Sequence, residues 1–240
     1  MEGKSIKILQ QNIRSIRQNN DQLTAYVQNE NIDIVCLSET WLHNYNIQKF
    51  YKNYNVYQED SKFNYARGVA IFVKKKIPSK KITMTLNFEK IEIVGVSINS
   101  ENVEIYAIYL PEDKNNLIKS DIEKLNRLLQ NKKCIVVGDF NAHHQQWGCT
   151  NTNKRGEMDS DLIDETNLMI LNDGSRTKMN SINSTGISAI DLSLCSTNLY
   201  DKCSWEVTNE TLGSDHYCIL INYTSDNTKK NNTNKHKNSR

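Results

Sequence analysis

One stretch restricts the fold more than any other: Cys134-Ile-Val-Val-Gly-Asp139-Phe-Asn141-Ala-His143-His144. Its β-branched run, Ile135 to Val137, reads as a buried strand. The strand ends at Gly138, where the backbone can turn freely, and an acid, an amide and two imidazoles follow at once. Strand tips in open α/β sheets are where such folds place their ligands. Asp139 and Asn141 are two apart, so on an extended segment they point the same way. A carboxylate beside an amide can take a proton from water and hold that water in line. Gly-Asp-x-Asn is equally good capping-turn chemistry, and on these residues alone the two readings are level.

A chain of 240 residues is long enough for one large domain with a substantial core. A formal charge of +2 is too small to select a polyanionic partner, so any basic face must be local. No apolar run approaches the roughly 20 residues needed to cross a bilayer, and Ile6-Lys7-Ile8-Leu9 is too short for a signal-peptide core. The cysteines (36, 134, 149, 195, 203 and 218) form no C-x-x-C pair, which argues against a zinc site. Four of them lie in apolar runs as small core residues, which suits a reducing compartment.

Taken in order, Ser5 to Gln11 predicts a strand ending at Asn12, and residues 19–30 a helix with Asp21 near its start. Ile32 to Leu37 is a second buried strand that stops at Ser38-Glu39. Tyr54–Gln58 and Val69–Val73 follow, joined by a loop around Asn64 to Gly68. Ile91–Ile98 and Val103–Leu110 form a hairpin, and Ile118, Ile122, Leu125 and Leu129 fall at helical spacing. Beyond Val137 come a helix over Arg155–Thr166 and strands over Leu168–Leu171, Ala189–Leu194, Cys203–Val207 and Tyr217–Tyr223. Many strands with few helices and no strict β-α alternation favour two mixed sheets packed face to face, helices outside, over a doubly wound single sheet. Residues 1–224 read as one domain. Residues 225–240, almost without apolar side chains, read as a disordered basic tail or the start of a linker.

Polar residues gather where the apolar strands stop: Asn12, Glu39, Tyr109, Asp139 with Asn141, Asp191, and Asp215 with His216. Singly, each is ordinary turn or half-buried packing chemistry. Asp191 is odder, because it interrupts Ile190-x-Leu192-x-Leu194, and a carboxylate buried bare costs several kcal/mol. His216 is its natural partner, and a buried Asp–His pair fixes the imidazole tautomer and raises its pKa. A purely structural Asp–His hydrogen bond is the alternative.

The ordered set Gln11-Asn12, Ser38-Glu39-Thr40, Tyr109, Gly138-Asp139-Phe140-Asn141, Ser188-x-x-Asp191 and Ser214-Asp215-His216 resembles the endonuclease/exonuclease/phosphatase superfamily. The resemblance runs over nearly the whole chain, from Ile6 to Tyr223. Glu39-Thr40-Trp41-Leu42, Arg67-Gly68-Val69-Ala70-Ile71, Asp139 through Trp147-Gly148, Arg155-Gly156, Leu171 to Gly174 and Ala189 to Leu194 are similar to one branch. That branch is the endonuclease domain of non-LTR retrotransposons of the arthropod type. The resemblance implies an α/β fold: a four-layer, DNase I-like sandwich. It implies an enzyme that nicks one strand of double-stranded DNA, leaving a 3′-hydroxyl that primes reverse transcription. No Tyr/Phe-Ala-Asp-Asp motif occurs here, so the expectation is an isolated domain or truncated copy, with a reverse transcriptase in the full-length element. Leu-Pro-Glu after Tyr109, and a single glycine after Arg67, depart from the branch in surface loops.

By the same resemblance, Glu39 would bind Mg²⁺, or Mn²⁺ in its place, with Asn12 and Asp215 nearby; a sparse oxygen set suits such a cation. Asp139 would activate or orient the attacking water, with Asn141 holding it. His216, paired with Asp191, would donate to the phosphoryl oxygen. Tyr109 and Thr177 would touch the phosphate, and His143 and Arg67 would contact nucleic acid. His143 and His144 point apart on an extended chain, against a zinc site. Lys74-Lys75-Lys76 and Lys80-Lys81 are more simply a solvated face than a DNA contact. The protein would be made in the cytoplasm and act in the nucleus, unsecreted, with no membrane partner. The alternatives are an abasic-site repair endonuclease, another phosphodiesterase or phosphatase of the same fold, or a catalytically dead DNA-binding module.

Overall fold

The computed structural model describes residues 5–42, 45, 47–49, 51–61, 66–112, 119–180 and 185–225. Two six-stranded mixed sheets lie face to face. Sheet 1 contains β1 (Ser5–Asn12), β2 (Ile34–Ser38), β3 (Tyr54–Glu59), β4 (Val69–Lys74), β11 (Cys203–Val207) and β12 (Ile219–Thr224), ordered β11-β12-β1-β2-β4-β3. Sheet 2 contains β5 (Ser79–Lys81), β6 (Glu92–Ile98), β7 (Val103–Tyr109), β8 (Cys134–Asp139), β9 (Leu168–Ile170) and β10 (Asp191–Ser196), ordered β5-β6-β7-β8-β10-β9. Helix α1 (Ile16–Asn29) covers the outside of sheet 1 through Ile16, Leu23 and Val27. Helices α2 (Lys119–Leu129) and α3 (Lys154–Thr166) cover sheet 2 through Ile122, Leu125, Leu129, Leu162 and Ile163. These are the four layers that the sequence predicts.

Strand alternation sorts the core. Ile6 and Ile8 of β1, Ile34 and Cys36 of β2, Ile105 and Ala107 of β7, and Ile135 and Val137 of β8 all point between the sheets. Leu9, Val35, Val136, Leu192 and Leu194 point outward to the helices. Each inner-facing stripe turns polar at one end. After Ile6 and Ile8 come Gln10 and Asn12; after Ile105 and Ala107 comes Tyr109; after Ile135 and Val137 comes Asp139. β1 runs parallel to β2, and β7 parallel to β8, so their C-terminal tips share one edge. β10 runs against β8 and begins there, with Asp191 opposite Asp139.

Several boundaries differ from the sequence reading. Helix α1 starts at Ile16, not residue 19, with no acid in its first turn and no side-chain cap at Ser15. Tertiary contacts set that start: Asn19 donates to the carbonyls of Ile13 and Arg14, and the Ile16 amide donates to Thr40. β8 does not end at Gly138 but runs through it to Asp139. Glycine stands there for space, since a Cβ would sit 1.8 Å from the Ile108 carbonyl oxygen on the parallel neighbour. β10 begins at Asp191, so the acid opens the strand and does not interrupt it. The short β5 edge strand has no counterpart in the sequence pattern. All six cysteines are free. Among the described residues, no helix is long and apolar enough to cross a membrane. Asn64, Tyr65, Ile118 and the tail from residue 226 lie outside the described residues.

Candidate active site

The shared edge forms a cleft of about 340 Å³ walled by Glu39, Arg67, Tyr109, Asn141, Asp215 and His216, with Arg14 and Lys178 at its sides. A second hollow of about 500 Å³ is walled by residues 59–61 and 81–94 and holds none of these groups. The chemistry therefore places the site in the smaller one.

Asn12 joins two of the acids. Its Nδ2 donates to Glu39 Oε1 at 2.9 Å and to Asp139 Oδ2 at 2.8 Å. Glu39 is turned into the cleft by a left-handed backbone (φ 50°), a costly geometry for a side chain with a Cβ. It is held by the Ser15 amide donating to the Glu39 carbonyl and by Thr40 pairing with Gly68.

Asp139 is 1% exposed. Its Oδ1 accepts the Asn141 amide at 2.9 Å, so the capping turn is present, and its Oδ2 accepts the Asn12 side-chain amide. The capping turn of Gly-Asp-x-Asn thus uses one oxygen and leaves the other to Asn12. The segment is not extended, however: Asn141 takes φ 49°, and its Nδ2 donates to the Leu110 carbonyl at the rim.

His216 Nδ1 lies 2.8 Å from Asp191 Oδ2, and its Nε2 lies 4.0 Å from Asp139 Oδ2 and 3.9 Å from Asp215 Oδ1. With Nδ1–H donating to Asp191, Nε2 faces the cleft. The Ser-Asp-His turn is pinned to β1: Gln11 Nε2 donates to the His216 carbonyl, and Ser214 Oγ donates to the Asn12 carbonyl.

Burial pushes the Asp139 carboxyl up to about 7; the Asp191 charge adds to this and His216 opposes it. Burial alone would lower His216, but the charge and hydrogen bond of Asp191, with the charge of Asp139, raise it to about 9. Asp215 pays some desolvation, yet His216, Lys178 and Arg14 hold it below the usual carboxylate range. Burial, then the charges of Glu39 and Asp139, push the Tyr109 phenol above its ordinary range, so it remains a proton donor.

The sequence-predicted residues divide. Asn12, Glu39, Tyr109, Asp139, Asn141, Asp191, Asp215 and His216 meet at this edge, and Arg67 lies in the cleft wall. Thr177 does not face the cleft. It is fully buried, and its hydroxyl donates to Asp191 Oδ2 at 2.7 Å and accepts the Asp191 amide, so it steadies that acid and cannot reach a phosphate. His143 stands beside the cleft wall, half-buried, its pKa lowered by burial and by Lys178. His144 turns away: its Nδ1 accepts the Gln146 amide and its ring centroid lies 5.0 Å from that of Trp147. Lys74 and Lys76 close on Asp33, and Lys81 on Glu59; Lys74 ends β4 away from the cleft.

Sequence reasoning missed Arg14 and Lys178. Arg14 places a guanidinium nitrogen 3.2 Å from Asp215 Oδ1, and Lys178 bridges backbone to His216 with Nζ 4.0 Å from Asp215. A lone cation in a loop carries no pattern; only Arg14's place two residues past Asn12 was a usable signal.

A two-sheet sandwich with this carboxylate, amide and imidazole set along one edge defines a class, the endonuclease/exonuclease/phosphatase fold. Residues 103–220, just under half of the chain, match the family described as endonuclease–reverse transcriptase. The RNA-directed DNA polymerase from mobile element jockey of Drosophila melanogaster is 27% identical over 224 residues, 92% of this chain and 24% of that protein. The chain thus spans about a quarter of the length of such curated relatives. The endonuclease domain of TRAS1, a telomere-specific non-LTR retrotransposon, superposes with a TM-score of 0.75 at 20% identity, covering 92% of this chain and 99% of that one. The AP endonuclease of Leishmania major superposes at 0.76 with 14% identity, over 93% and 89%.

Proposed function

We propose that this domain is a divalent-metal-dependent DNA endonuclease. In this reading it nicks one strand of a duplex by phosphodiester hydrolysis and leaves a 3′-hydroxyl, as target-primed reverse transcription in the nucleus requires. The observation that carries the reading is the Asn12 bridge between Glu39 and Asp139, set beside an Asp191-held imidazole whose Nε2 points at the same carboxylate.

Asp139 Oδ2 takes a proton from water, and Asn141 at the rim holds that water. The protonated Nε2 of His216 donates to a phosphoryl oxygen as negative charge builds there. Tyr109 donates a second hydrogen bond from its phenol. The released 3′-oxygen leaves with a proton drawn from solvent or from His216.

The residues fit a hard cation. Glu39, Asp215 and the Asn12 amide supply oxygen ligands only, the donor type a hard cation takes, and Asp215 Oδ1 meanwhile pairs with the Arg14 guanidinium at 3.2 Å. Asp139, Asp191 and His216 also place ligand atoms within 4.8 Å of one another. Asp191 and His216 are each other's partners, however, which leaves Glu39 and Asp215 as the better holders. Mg²⁺ bound there would polarise the phosphate and stabilise the leaving oxygen.

The test is supercoiled plasmid incubated with Mg²⁺, Mn²⁺ or EDTA, beside Asp139→Ala and His216→Ala. Open circles that need metal and that both variants lose are the expected result. Cleavage of abasic plasmid alone would move the reading to repair, and binding without cutting would make this a DNA-binding module.

A further inference from the structure

We propose that Gln10 is a positioning residue of this site, a clamp reaching from sheet 1 that holds the two sheet 2 strands carrying Asp139 and Asp191. Its activity test rests on the nuclease reading.

Gln10 is 2% exposed and faces between the sheets, where Ile6 and Ile8 precede it. An apolar residue would continue that stripe, so packing alone does not call for an amide. Its Nε2 donates to the Gly138 carbonyl at 3.2 Å and to the Leu192 carbonyl at 3.1 Å, occupying both amide hydrogens. Gly138 and Leu192 are opposite each other in the β8–β10 register, and Asp139 and Asp191 are the next opposed pair. Both strands are therefore tied one residue from their carboxylates.

The amide cannot turn over freely. Ser193 Oγ donates to Gln10 Oε1 at 2.6 Å, and Trp205 Nε1 of β11 donates to Ser193 Oγ at 2.8 Å. The buried polar chain is satisfied from the indole to the two carbonyls. Two residues on, along the same face, Asn12 grips the Asp139 side chain itself. Opposed carboxylates on neighbouring strands repel and favour spreading of the tips; the bonds from Gln10 oppose that.

The test compares Gln10→Met, which keeps length and removes the hydrogen bonds, with Ser196→Ala. Ser196 Oγ is also a buried interstrand partner, between Cys134 and Lys132, but at the other end of β10. Gln10→Met should lower kcat on supercoiled plasmid by about ten- to a hundredfold, the scale of a small misplacement of reacting groups, with KM changed less than about twofold. The Phe140 and Leu110 amides, bonded to Ile190 and Asp139 at the tips, should exchange hydrogen about tenfold faster relative to core amides. Ser196→Ala should lose stability and keep kcat. If Gln10→Met does not fold, Ser193→Ala, which frees the Gln10 oxygen and the Trp205 indole N–H but leaves both Gln10 bonds to the strand carbonyls, should show a smaller kcat loss of the same kind. Wild-type kcat and tip exchange in the folded variant would overturn the clamp. A wild-type chain that cuts no DNA with any divalent cation would remove the nuclease reading, and the exchange measurement would still decide the clamp.

Discussion

Asp191 keeps His216 protonated well above the pH at which a free imidazole discharges, while burial keeps Asp139 protonated well above the usual carboxylate range. The proposed mechanism requires Asp139 ionised and His216 charged, so under it nicking should rise as pH passes about 7 and fall as it passes about 9. Stability follows a different rule. His216 is raised in the folded state, so its contribution is full below 6.5 and is lost as pH rises through about 9. Urea unfolding across that window should show the loss, on the order of 3 kcal/mol at most, and His216→Asn should flatten it. An unchanged slope in the variant would mean that the pair is not what titrates. At this scale the acids were legible because an inner-facing apolar stripe that turns polar at its tip stands out in sequence. Gln10 was not. Its partners lie 128 and 182 residues away, and nothing local distinguishes a clamp from a turn residue. Thr177 was misread for the same reason: its contact with Asp191 is a tertiary one.

Among the elements, β8 shows how closely the parallel pair must approach. A Cβ on Gly138 would overlap the Ile108 carbonyl, a backbone atom that cannot move aside without parting β7 from β8. Gly138→Ala should therefore lower the free energy of unfolding by roughly 3 kcal/mol or more, or prevent folding, which a urea denaturation curve would show. Strands were readable from their alternation, and α2 and α3 from helical spacing. The start of α1 was not, because Ile16 and Asn19 are set by contacts with Thr40, Ile13 and Arg14 and not by a capping signal in the sequence. β5 is too short to carry a period of its own.

For the whole molecule, a net charge of +2 leaves attraction to a polyanion to local cations. Among the described residues, Arg14, Arg67 and Lys178 are the cations at the cleft, whereas Lys74 and Lys76 are engaged with Asp33. Lys178→Gln should weaken duplex binding and reduce the slope of log affinity against log salt by about 0.9, one phosphate contact. Fluorescence anisotropy over a salt series reads this, and an unchanged slope would place Lys178 outside the DNA path. The groups of the site are divided between the sheets: Asn12 and Glu39 extend from sheet 1, and Tyr109, Asp139 and Asp191 from sheet 2. Neither sheet alone carries the set proposed for the reaction, so cutting would depend on the two layers staying docked across the apolar seam between them, and a core change that loosens that seam would cost activity before it unfolds either sheet.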